Sequence, residues 1–521
     1  MNKQVIVSKH SRRYFIKYSS LAIGGTVLTG PYLLRGQNLY NRMNIAQIGC
    51  GGKGGGDMQL CGAHDNIVAV CDVNTSATDR ASQDFPKANV YKDFRLLFEK
   101  EKSLDAVDIA TPDHMHAVIA AMAMKMGKHV YCQKPLTHDV YEARTLRELA
   151  KEHKVATQMG NQGSASDGLR RAVGVVQAGL IGPVHQAYVW TNRPIWPQGR
   201  TRPPGSDPVP DNLDWDLWLG TAPYRPFKLT WPNEPSSAGR TNQAIAMQVP
   251  AAGTNQAAGG GTNQFGGRGR RGGRGGGGRG GGGGGGRGIY QPFNWRGWLD
   301  FGTGALGDMA CHTTNWPFRA LNLGYPTEIE ATSSGMNGEM YPTNSRIRFE
   351  FPARTGMPPV TLWWSDGGNL PPTDVTADIS AMLGDVSRSG CIMIGDKGMV
   401  YSGDDGDQDL RFYVKLKGDK EMMGSQNHEA VRAIPELEPY NGFGGSSDAR
   451  QHQEWIAACK GVGVGYSNFD IAAYLTEIML LGCVALRVGR KIEWDGPKMR
   501  ATNAPEAAHY VKREYRKGWK L

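Results

Sequence analysis

The clearest pattern along the chain is a pair of short apolar runs, Ile45 to Ile48 and Ile67 to Val70. Between them Gly49, Gly51 and Gly54 fall in a G-x-G-x-x-G order, followed by enough polar chain for one helix, and the second run closes on Asp72. Strand, glycine turn, helix, strand and acid is the order of a dinucleotide-binding βαβ unit. The first glycine permits the tight turn, the second lets backbone approach a pyrophosphate, and the third lets helix pack on strand. The phosphates then meet unpaired N–H groups at the helix N-terminus.

The pattern continues in the same rhythm. A helical stretch lies around 77–85, and another carries Leu96, Leu97 and Phe98. Residues 104–110 read as a buried parallel strand ending in Thr111-Pro112-Asp113-His114-Met115-His116. Strand ends on this side of a doubly wound sheet face the ligand. His114 and His116 are therefore ligand-facing or helix-start residues. A helix over 117–126 and a strand over 129–132 deliver Gln133-Lys134-Pro135. Further on, 184–191, 327–333, 345–351 and 360–365 alternate as strands do, and 390–400 and 410–416 continue the sheet. His452 to Trp455 opens a helix, and 472–486 is a strongly apolar helix that reads as core.

Charge changes little once it is located. The net +10 resides in two places. Residues 1–40 carry six basic and no acidic side chains, and the glycine-rich tract 251–288 carries six arginines. The remaining body is near neutral, which does not suggest a nucleic-acid protein. The tract has too little apolar surface to offset its ordering entropy and reads as a solvated insertion. The eight cysteines form no C-x-x-C pair, so no metal site is expected from their spacing.

At the start, Ser11-Arg12-Arg13-Tyr14-Phe15-Ile16-Lys17 precedes an apolar segment over 21–34. This is a twin-arginine export signal, which makes the expected location the periplasm. The apolar segment is short against the about 20 residues a spanning helix needs. Without an A-x-A cleavage site, removal and retention as an N-terminal membrane anchor both stay open.

Asp72 predicts the cofactor. A carboxylate there accepts from both ribose hydroxyls and repels a 2′-phosphate, and no arginine follows within residues 71–76, so NAD is expected over NADP. An exported NAD enzyme meets little free nicotinamide nucleotide, so tight retention of the cofactor is expected.

The segments IGCGGKG, CDVN, ATPDHMHA, QKPL, MGNQG at 159–163, GDMACH at 307–312 and the C-terminal EWDGPKM and REYRKGW are similar to the glucose–fructose oxidoreductase / inositol dehydrogenase (Gfo/Idh/MocA) family. The resemblance implies an α/β fold: a Rossmann doubly wound parallel sheet, then an α/β domain with a large open, mostly antiparallel sheet. The expected organisation is 1–40 signal, 41–157 nucleotide domain, 158–497 catalytic domain, and 498–521 packing back on the body. It also implies NAD(P) chemistry on sugars and polyols, and by analogy a homo-oligomer formed through the open sheet. One departure stands out. The family usually has Glu-Lys-Pro where this chain has Gln133-Lys134-Pro135, which removes a carboxylate that favours the ammonium form of Lys134.

If 305–320 is helical, Asp308 and His312 share a face, and the resemblance matches them to the family's active-site pair. An imidazole near neutral pKa takes a hydroxyl proton, Asp308 orients it or contacts the substrate, and Lys134 poises the same hydroxyl. The expected catalytic residues are Lys134, His312 and Asp308. The expected cofactor contacts are Gly49, Gly51, Gly52, Lys53, Gly54, Asp72, Thr111, Pro112, His116, Gln133 and Asn161. Trp196, Trp215, Trp218 and Trp231, in a Pro-rich stretch over 192–235, read as packing residues of an ordered loop before they read as sugar platforms. Three functions compete. The first is an exported sugar oxidoreductase, the second a glycoside-cleaving enzyme with transient NAD oxidation. The third, a non-catalytic sugar binder, has Gln133 as its support.

Overall fold

The computed structural model describes residues 42–231, 288–290, 293–404, 410–435 and 443–521. The segment expected to be an export signal and the glycine-rich tract through residue 287 lie outside them. Residues Arg42–Leu521 form one compact unit.

Six parallel strands build the N-terminal sheet: β1 (Asn44–Ile48), β2 (Asn66–Cys71), β3 (Asn89–Tyr91), β4 (Ala106–Ile109), β5 (His129–Gln133) and β6 (Thr157–Gly160). Their order is β3-β2-β1-β4-β5-β6, with every neighbouring pair parallel. The order reverses between β1 and β4, the topological switch point where such sheets bind ligands. The expected domain boundary at 157 falls at the start of β6, so the sheet reaches three residues beyond it.

The glycine turn behaves as its spacing requires. Gly49 has φ +87, and a Cβ there would lie 2.6 Å from the Ala110 carbonyl oxygen. Gly54 backs so closely onto the turn that a Cβ would lie 1.9 Å from the Gly49 oxygen. A Cβ at Gly51 would meet no protein atom within 4 Å. One glycine makes the turn, one packs it, and one leaves open space.

The second sheet has ten strands: β7 (Val184–Trp190), β8 (Glu328–Ser333), β9 (Ser345–Phe351), β10 (Val360–Ser365), β11 (Gly390–Gly395), β12 (Gly398–Ser402), β13 (Tyr413–Leu416), β14 (Met423–Gly424), β15 (Ile492–Asp495) and β16 (Arg500–Ala501). Their order is β14-β13-β12-β11-β7-β10-β9-β8-β15-β16, antiparallel except for the β7–β10 pair. The helix Phe469–Val488 is long and apolar enough to cross a membrane, yet it is largely buried in the core against this sheet. Arg144, on the helix Val140–His153, donates to Glu477 of that helix (Nε to Oε2, 2.9 Å), joining it to the nucleotide domain.

Four expectations are corrected. The run 390–400 is a hairpin rather than one strand, because Asp396-Lys397 turns between β11 and β12. The stretch 305–320 splits into helices Gly304–Thr313 and Asn315–Ala320. His452 does not open a helix but sits within Ser447–Cys459, which starts at the Ser446 cap. The strand expected from residue 410 begins only at Tyr413. The loop tryptophans do pack: Trp215, Trp218 and Trp231 join Tyr290, Trp298 and Phe301 in one buried aromatic cluster.

Gly54→Ala is expected to lower stability by about 3 kcal/mol or more, since the clash is with backbone that cannot repack. Gly51→Ala is expected to leave the melting temperature nearly unchanged. Thermal melts of the two variants check both.

Candidate functional site

A cavity of about 580 Å³ opens at the switch point. Its wall takes Gly49, Gly51, Gly52 and Lys53 from the glycine turn, Asp72 from the end of β2, Thr111 and Pro112 from the end of β4, and Gln133 and Lys134 from the end of β5. Nine of the expected site residues therefore share one wall.

The helix Lys53–Gly62 begins at Gly52 with no side-chain cap on its first N–H groups, of which Gly54 N turns back to the Gly51 oxygen at 3.0 Å. Asp72 accepts from Cys50 N (Oδ2, 2.8 Å) and Asn74 N (Oδ1, 2.9 Å). Burial pushes its pKa up, while these backbone donors oppose the shift. The Thr111 hydroxyl is buried and has no partner among the described residues. Open space at Gly51, uncapped N–H groups and an orphaned hydroxyl fit a nucleotide.

At the other end, Lys134 Nζ lies 3.0 Å from Asp308 Oδ2 and donates to the Asp308 carbonyl oxygen at 3.1 Å. Arg296 Nε pairs with Asp308 Oδ1 at 3.0 Å. Asp308 is 5 % exposed. Burial alone would raise its pKa, but Lys134 and Arg296 outweigh burial and hold it below the usual carboxylate range. Lys134 and Arg296 line the cavity; Asp308 and His312 sit behind them. The carboxylate thus pairs with two cations rather than with the imidazole that the resemblance matched to it. His312 also departs from expectation: burial, aided by the charge on Lys134, lowers its pKa to about 3 instead of leaving it near neutral. Its Nδ1 has no partner among the described residues.

Gln133 makes sense of its own departure. Its Nε2 donates to Asp57 Oδ2 at 2.7 Å. A glutamate there would set carboxylate against carboxylate, beside a third, Asp108. Asp57 is fully buried, and burial followed by the Asp108 charge raises its pKa to about 6. Nor is Lys134 short of an anionic partner, because Asp308 supplies one at 3.0 Å.

Three expected contacts lie elsewhere. His116 is buried, with Nδ1 2.8 Å from the Pro135 oxygen and Nε2 2.8 Å from the Thr111 oxygen, so it braces two loops and does not line the cavity. His114 is likewise buried, against the Trp218 and Phe301 carbonyls. Asn161 spends its amide on the Cys311 oxygen at 3.0 Å and steadies the helix Gly304–Thr313 from behind. Gly54 acts through packing alone.

Other residues were missed. Arg296 stands between Phe293 and Trp295, each ring 4.4 Å away, in a segment whose only visible signal was its aromatic density. Asp113 starts the helix after β4, accepts from Thr303 Oγ1 at 2.9 Å, and has its pKa raised to about 8 by burial and then by Asp308. Arg80 and Lys92 line the Asp72 end. Cysteine spacing predicted no metal site, yet the fold brings ligand atoms of Cys61, Asp108 and His452 within 4.8 Å of one another. There His452 Nε2 forms ion pairs with Asp57 (3.5 Å) and Asp108 (3.4 Å). These carboxylates outweigh burial and raise its pKa.

Comparison with known proteins agrees with this geometry. Residues 43–161 match the GFO_IDH_MocA model, described as an oxidoreductase family with an NAD-binding Rossmann fold. Levoglucosan dehydrogenase of Pseudarthrobacter phenanthrenivorans is 27 % identical over 115 residues, 22 % of this chain and 29 % of that protein. Inositol 2-dehydrogenase of Salmonella paratyphi B is 25 % identical over 175 residues, 33 % of this chain and 51 % of that protein. The chain thus spans at most about half the length of these curated relatives. An inositol dehydrogenase homolog from Azotobacter vinelandii, solved with NADH and myo-inositol, superposes with a TM-score of 0.52 at 14 % identity, covering 87 % of this chain and 98 % of that one. That likeness carries the fold through both sheets. Over residues 43–161 the chain accordingly matches an NAD-binding Rossmann domain similar to that of the Gfo/Idh/MocA oxidoreductases.

Proposed function

We propose that the chain is an NAD-dependent oxidoreductase acting on a hydroxyl of a sugar or polyol. The observation that carries this reading is the shared cavity: Lys134, fixed by Asp308, lines the same wall as the glycine turn and Asp72. Gly51, Gly52 and the first N–H groups of the helix Lys53–Gly62 would hold the pyrophosphate, and Asp72 the ribose. Bound there, NAD supplies the hydride acceptor.

The protein's residues then govern the proton and the geometry. Two of the three Lys134 donors are committed to Asp308; the third serves the substrate oxygen. His312 is the neutral base on the Asp308 helix: burial and then the Lys134 charge disfavour its imidazolium, the Asp308 charge opposes them, and the substrate hydroxyl must reach past Lys134 to give it the proton. Arg296 contributes a second cation beside the developing oxyanion, and the surrounding aromatic rings exclude water.

Export through the twin-arginine route is part of the proposal and rests on the motif over 11–17. A homo-oligomer through the ten-stranded sheet is proposed from the half-exposed Trp363 on its outer face. A glycoside-cleaving variant of the same chemistry starts with the same oxidation and differs in its product.

Incubation with NAD and a panel of sugars, polyols and glycosides tests the function. A keto-product with matching NADH is expected; free sugar without net NADH would move the assignment to glycoside cleavage. Lys134→Ala is expected to lower turnover by about 10²–10⁴-fold with NADH binding retained. Unchanged turnover would rule out the mechanism as written. The raised Asp113 pKa fixes a pH effect. Folded Asp113 stays protonated up to about pH 8, while the unfolded group ionises near 3.9. Over that window the unfolded state binds fewer protons, so this group's contribution to stability falls as pH rises. Asp113→Asn should melt increasingly above the parent between pH 4 and pH 8.

A further inference from the structure

The C-terminal segment does more than pack back. Arg513 donates to the His114 oxygen (2.8 Å) and to Glu142 Oε1 (3.1 Å), and the Tyr515 hydroxyl donates to the same carboxylate at 2.6 Å. Arg516 N donates to the Thr221 oxygen and its Nε to the Gly220 oxygen, each at 3.0 Å. Its guanidinium also pairs with Asp216. These contacts anchor the segment, and beyond them Trp519 lines the cavity.

The indole sits at a definable end. Asp72 N donates to the Tyr91 oxygen at 3.2 Å, so Lys92, Asp93 and Phe94 follow directly beside Asp72, and all three line the cavity. The Phe94 ring lies 6.1 Å from the Trp519 ring. The Arg95 guanidinium lies 4.7 Å from the indole centroid and is itself held by both oxygens of Asp93. Trp519 is therefore fixed on the Asp72 side, away from Lys134.

We propose that this segment is a clamp for the adenosine half of the dinucleotide, with Trp519 as the aromatic wall of the adenine subsite. The proposal rests on the reading of the cavity as an NAD site. An adenine ring offers a π-face and no net charge, and stacking on an indole suits it without any cation. The indole is held before binding, so little ordering cost is added when the nucleotide enters. Arg516 extends the effect, because the helix Trp215–Leu219 that it grips puts Leu217 and Trp218 into the same wall. The clamp gives the tight cofactor retention an exported enzyme needs.

The test compares NADH with reduced nicotinamide mononucleotide, which lacks the adenosine half. Binding of each is measured by fluorescence titration to the parent protein, Trp519→Ala and Trp519→Phe. Nucleotide released from each purified protein is quantified by mass spectrometry. Trp519→Ala is expected to weaken NADH roughly tenfold or more, leave the mononucleotide unchanged, and purify with less bound nucleotide; Trp519→Phe should recover most of the affinity. Trp519→Leu keeps apolar bulk and should show the same split, so poor folding of the alanine variant leaves the test intact. NADH affinity unchanged in Trp519→Ala and Trp519→Leu, or an equal loss for both ligands, would overturn the clamp. A parent protein that binds NADH no better than the mononucleotide would also overturn it, while leaving the nicotinamide end of the site standing. A parent protein that binds neither would instead remove the NAD reading itself, and the clamp with it.

Discussion

One buried carboxylate holds the two halves of this molecule in working relation. Asp308 belongs to the helix Gly304–Thr313, and Lys134 to the end of β5. Taking a lone carboxylate out of water costs several kcal/mol, and here two cations offset that cost from opposite oxygens. The arrangement tolerates neither a missing cation nor a displaced one. It therefore fixes where the second domain lies against the nucleotide domain and, through Lys134, where the reacting hydroxyl must sit. Catalytic geometry and domain docking are one constraint.

A second polar layer lies behind the first. Lys53 pairs with both Asp57 and Asp448 (2.9 Å to the latter). Gln133 and His452 complete the shell around Asp57. His452 stacks on Tyr131 with centroids 4.2 Å apart and donates from Nδ1 to the Asp448 oxygen at 2.8 Å. Glutamine at 133 is consistent with this layer: the position opposite is already anionic, and an amide is the neutral group of the right shape to donate to it. The departure from the family pattern is local charge compensation, not loss of the site.

Much of this was legible in the sequence, for identifiable reasons. The glycine turn and Asp72 declared themselves because their roles depend on spacing along a few residues. The alternating strands over 345–351 and 360–365 did so because each has one face in the core. Lys134, Asp308 and His312 were found through family resemblance, which with the i, i+4 spacing paired Asp308 with His312; the direct ion pairs of Asp308 with Lys134 and Arg296 were not anticipated. The i, i+4 rule knows only one helix, whereas the cations arrive from β5 and from the Asn294–Gly297 turn. His116 and Asn161 misled because a polar side chain near a ligand looks the same in sequence whether it faces the cavity or a backbone carbonyl. His312 had an ordinary residue type in a strongly desolvated place, and no linear pattern reports burial that deep.

The latch formed by Arg513 and Arg516 bears on how the chain assembles. Its partners include His114, 399 positions earlier, and Asp216, 300 positions earlier. Contacts of such separation close late, because loop-closure entropy is lost before they give any return. The nucleotide-binding half is thus the first to be synthesised and among the last to be completed. A ribosome-bound chain not yet carrying Arg513 to Trp519 would present the cavity without its indole wall, and separate expression of the nucleotide-binding half would give a less stable body than the intact polypeptide.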